Sequence, residues 1–201
     1  MKTFYNKYSF AMVKMFVNQC VIGLFGNVLA LMTSMIKSTP ITIAVGAFAI
    51  LFYFFLIYMM IWEIGSKDGI PIDAGRMKYN PLTGLLIAIG AAVPNLILAT
   101  LHALCTPFAM SSKLLSGVCA ISRIVMLFIN GMYTGIMSVI KIGEAPMNNY
   151  WWAYFVITLP IMIVATLAYI LGRKNIHFTK VLLPMTPEEV EIKREKKMKR
   201  K

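Results

Sequence analysis

The sequence predicts an all-α polytopic integral membrane protein, with four full transmembrane helices and a fifth apolar helical element that is re-entrant or interfacial. Three observations carry this. Of 201 residues, 59% are hydrophobic and 14% are charged, against about 45–50% and about 25% in soluble domains. Mean hydropathy is +0.72. Runs free of Asp, Glu, Lys and Arg cover residues 15–36, 38–62, 79–112 and 145–172, each longer than the roughly 20 residues a helix needs to cross a bilayer core. A water-soluble globule is excluded.

The first span is expected at about 12–36, closed by Lys37 and Pro40. Lys2, Lys7 and Lys14 before it have the outline of a signal peptide. Asn18, Gln19 and Asn27 interrupt the apolar stretch, however, and no small residues precede Cys20, so the segment reads as a retained span. The second span, about 41–63, follows Ser38-Thr39-Pro40, with proline at a tolerated helix start. Residues 63–81 then read as a polar loop, because glycines and Pro71 alternate with charges. Its Glu63, Lys67, Asp68, Arg76 and Lys78 are candidates for docking a partner; the alternative is a turn whose cations set topology. The third span is about 82–104, and the last, about 150–171, opens with Tyr150, Trp151, Trp152 and Tyr154 at headgroup level. Residues 1–172 thus form one transmembrane domain, and 173–201 a basic cytoplasmic tail with a capping-box pattern at Thr186, Pro187 and Glu189.

The segment 114–140 decides the topology, since Arg123 and Asn130-Gly131 interrupt it. Four spans with both termini cytoplasmic place nine near-membrane cations inside and four outside, whereas five spans with a cytoplasmic C-terminus place five inside and seven outside. Charge bias therefore favours a re-entrant or interfacial element, with both termini cytoplasmic in a multi-pass plasma-membrane protein. Hydropathy allows the alternative, a fifth full span with the N-terminus outside.

Between helices in lipid, small and polar residues mark the faces that meet protein. Such stripes occur at Gln19, Gly23, Gly26/Asn27, Ala30 and Ser34; at Gly84, Ala88, Ala91, Asn95, Ala99 and His102; and at Ser116, Ala120, Arg123, Asn130/Gly131, Thr134 and Ser138. They make Arg123, Asn95, Asn130, His102, Asn27 and Gln19 the ligand or pathway candidates. Carboxylates are missing from the span interiors, which disfavours carboxylate-coupled proton transport.

No catalytic constellation stands out, and the chain is expected not to be an enzyme. His102-x-x-Cys105 fits a membrane Cys/His peptidase only remotely, because no third orienting residue is evident. Metal-ligand clusters and phosphate-cradling glycine motifs are absent from the sequence, so no metal and no cofactor is expected. The three cysteines read as free thiols. A net charge of +12 would suggest nucleic acid in a soluble protein, but here it points to anionic headgroups of the bilayer. The expected function is a small solute-transport or channel-like component; the alternative is a structural or assembly subunit of a larger complex. Expected partners are the lipid bilayer, other membrane or cytoplasmic subunits, or a second copy of the chain. The Lys-, Ile- and Met-rich usage resembles small membrane proteins of low-GC bacteria.

Overall fold

A computed structural model describes residues 2–36, 38–108 and 113–176. The tail beyond Ile176, with its capping-box pattern, lies outside the described residues. Among the described residues, four helical spans are long and apolar enough to cross a membrane. These are α1 (Lys2–Ile36), α2 (Thr39–Asp73), α3 (Thr83–Cys105), and a final span made of the single turn α6 (Ala153–Val156) and α7 (Leu159–Arg173). The last span is broken at Ile157-Thr158 because Pro160 has no N–H to donate to the Val156 carbonyl.

Side-chain pairs fix the directions. Lys7 meets Asp68 and Asn18 meets Met60, so α1 and α2 are antiparallel. His102 faces Tyr154 at the end of α3, while Gly84 at its start abuts Ala165, so α7 runs antiparallel to α3 and alongside α2. Lys7, Asp68 and Tyr169 meet at one end of the bundle, hence both described chain ends lie at that end.

The remaining apolar segment forms α4 (Lys113–Ile129) and α5 (Gly131–Val139), which meet at an angle of 105° across Asn130. Helix α4 starts beside the C-terminal end of α3, where Cys119 meets His102, and descends until Asn130 meets Asn95 halfway along that helix. Helix α5 then climbs back. Tyr133 packs edge-on against Tyr53, and Gly135 lies against Gly46 and Thr42 near the start of α2. Both feet of the pair therefore stand at the same end of the bundle, and the segment is a re-entrant element rather than a fifth span.

Close approach builds this arrangement. A Cβ at Gly23 would run into the carbonyl oxygens of Phe128 and Ile129, and one at Gly131 would overlap the Gly23 carbonyl. Glycine on both sides lets the two backbones touch, the packing mode that replaces hydrophobic association inside lipid. After α5, Lys141–Ile142 and Ala145–Pro146 pair as a small antiparallel hairpin. Gly143 supplies the positive φ of 65° at the first of its two turn residues.

The segment 63–81 departs from the expected loop. Helix α2 continues to Asp73, and only residues 74–82 form the turn. Gly65 and Gly69 are not turn glycines: each faces the backbone of α7, where a Cβ at Gly65 would collide with the Tyr169 carbonyl. Glu63 and Lys67 support the helix as an exposed i,i+4 pair at 2.7 Å.

Candidate functional site at the re-entrant hairpin

Helix α4 ends and α5 begins at Asn130, whose own side chain bonds at the break. Its Nδ2 donates to the Met126 carbonyl at 3.0 Å and to Asn95 Oδ1 at 2.8 Å. Its Oδ1 accepts from Gln19 Nε2 at 3.1 Å. Gln19, Asn130 and Asn95 thus form a file of amides linking α1, the hairpin tip and α3, and all three are buried. Amides suit this depth because each supplies both donor and acceptor without a net charge. One donor is left over. Asn95 Nδ2 is buried with no hydrogen-bond partner, as are the hydroxyls of Tyr53 and Tyr133.

Asn27 forms a second tie, one turn above the tip. Its Nδ2 donates to the Leu127 carbonyl at 3.1 Å, and its Oδ1 accepts from Thr134 Oγ1 at 3.2 Å, so one side chain holds both arms of the hairpin. Ser116 and Ala120, on the stripe expected to face inward, are exposed, because the start of α4 lies on the outside of the bundle.

Arg123 and His102 stand apart from the amides. Arg123, half-buried, donates to Asn149 Oδ1 in the turn after the hairpin, two helical turns from Asn130. His102 is buried, and its Nδ1 lies 3.3 Å from Cys119 Sγ on α4. Cys105, the thiol at the expected spacing, is buried one turn further along α3. The sequence pointed to His102 and to a thiol but not to Cys119, since seventeen residues separate the pair. All three cysteines are free thiols.

The docking candidates divide as well. Asp68 is buried: Oδ2 accepts from Tyr8 at 2.5 Å and Tyr169 at 3.1 Å, and Oδ1 from Lys7 Nζ at 2.7 Å. This clasp joins α1, α2 and α7 and engages both oxygens of the Asp68 carboxylate within the bundle. Glu63, Lys67, Arg76 and Lys78 remain exposed. Tyr8 and Tyr169 carried no sequence signal toward Asp68, because the partners lie 60 and 101 residues away. Among the described residues no group of three or more His, Cys, Asp or Glu could hold a metal ion. Compared with protein families, curated proteins and solved structures, the chain matches none.

Proposed function

We propose that the chain is a non-catalytic transport or channel-like component of the plasma membrane, with both termini cytoplasmic and the α4–α5 hairpin as its working element. The observation that supports this reading is the interrupted helix at mid-depth. Irregular backbone inside a membrane needs protein or a polar cavity around it, and here it sits in a file of neutral amides with spare donors. Neutral amides suit a small, uncharged polar solute. The test is solute-driven swelling of proteoliposomes holding the purified chain. Glycerol or urea flux above that of empty liposomes, lost in Asn130→Leu, is the expected result; flux equal to the empty control overturns it.

A second reading, a structural subunit of a larger complex, is favoured by the way the amides bond to one another. Co-purification of a stoichiometric second chain, together with no flux, supports that reading.

A further inference from the structure

The uncharged run of α1, residues 15–36, is about 33 Å long at 1.5 Å per residue, close to the roughly 30 Å of a hydrocarbon core. Lys14 therefore stands at the boundary of that core, and Lys7 about 10 Å further out. On α2 the first charge after the apolar run is Glu63, which sits beside Lys14. A cavity of about 350 Å³ opens between the two helices in the headgroup zone, with Lys7, Lys14 and Lys67 and the carboxylates of Glu63 and Asp68 in its wall. A second, of about 310 Å³, shares Lys14, Met60 and Glu63 with the first and continues into the apolar zone past Asn18 and Met59.

The charges of this groove do not cancel. Lys7 is neutralised by Asp68 and Lys67 by Glu63, each at 2.7 Å. Glu63 also feels the charge of Lys14, but three lysines face only the two carboxylates of Glu63 and Asp68, so the groove keeps one net positive charge, with Lys14 at the boundary. An ammonium at the mouth of a groove that turns apolar below it matches a singly charged anionic amphiphile.

We propose that the α1–α2 groove is a binding site for one anionic phospholipid, its phosphate on Lys14 and an acyl chain along Asn18, Met59 and Met60. The site is separate from the hairpin and does not depend on the transport reading.

The test is native mass spectrometry of the full-length chain in detergent with added phosphatidylglycerol or phosphatidylcholine. Phosphatidylglycerol is expected to be retained in preference. Lys14→Gln should weaken that retention about fivefold, Lys14→Arg should preserve it, and Lys113→Gln at the opposite end should leave it unchanged. Met59→Trp fills the groove from an exposed position without touching the charge, and should also weaken retention while the melting temperature holds. This variant decides the matter should Lys14→Gln fail to fold. Equal retention of the two lipids overturns the proposal, as do equal losses in Lys14→Gln and Lys113→Gln, or unchanged retention in Met59→Trp. Binding of sn-glycerol phosphate as tight as that of the lipid would mark a soluble-anion site and overturn it too.

Discussion

The clasp around Asp68 and the amide file around Asn130 perform the same mechanical task with opposite chemistry. Each ties three parts of the bundle together through one buried polar side chain. Asp68 does so with a carboxylate, whose cationic partner Lys7 is 41% exposed on its side chain at the bundle end. Asn130 does so with a neutral amide, between the midpoints of α1 and α3. Depth explains the difference. Near the end of the bundle an ammonium keeps part of its hydration while pairing with the carboxylate, whereas at mid-depth an ionised side chain costs about 3 kcal/mol even by the gentlest scale.

Exchanging the two chemistries is the strongest way to break this comparison. In Asn130→Asp the carboxylate would still accept from Gln19, but its other face would confront two acceptors, the Asn95 and Met126 oxygens. We expect a loss of about 3 kcal/mol at neutral pH, read by thermal melting in detergent. A melting temperature equal to wild type would mean that the hairpin tip is hydrated and that depth does not set the choice. Next in size is Asp68→Ala, which removes the acceptor shared by Tyr8 and Tyr169 and leaves their buried hydroxyls only each other and Thr83. The expected cost is about 2 kcal/mol. Asp68→Asn, which keeps an oxygen for one tyrosine, should recover part of it, and no recovery would show that the carboxylate charge rather than the hydrogen bonds holds the clasp. Smallest is Arg123→Met. The Arg123 side chain bonds the exposed Asn149 and meets the Tyr154 hydroxyl, which keeps its own bond to the Asn148 carbonyl, so the melt should shift by about 1 kcal/mol or less and flux in liposomes should be retained. A larger loss in either readout would move Arg123 into the working site beside the amides.

The same contrast explains what was legible in the sequence. Span positions and the break at Asn130-Gly131 are local properties, carried by run length and by small polar residues at helical spacing, and the structure has four spanning helices and a bent pair accordingly. The stripes on α1 and α3 likewise turn toward protein, except at Ser34, which is exposed. Residues 63–73 misled because Gly65, Gly69 and Pro71 resemble turn signals, and only the backbone of α7 reveals that the glycines exist for close packing. Asp68 misled for the same reason: a charged residue among glycines looks solvated until tyrosines from two distant helices close over it. The hairpin at 141–146, which supports the turn bearing Asn149, has strands of only two residues and left no periodic signal.

The order in which the hairpin's partners occur along the chain bears on biogenesis. Gln19, Gly23, Asn27, Gly46 and Asn95 all precede residue 113, so the helical surfaces that receive the tip and α5 are synthesised before they are, and the turn that meets Arg123 through Asn149 follows. A segment that dips halfway into lipid and returns is a poor candidate for autonomous insertion, since its tip exposes polar backbone. Here it can slot into a receptacle of three helices already in the membrane, and α7, emerging last, closes the assembly by docking against α2 and α3. Translation itself, at about 5–20 residues per second, thereby gives the first three helices a few seconds to gather before the hairpin is complete at Val139.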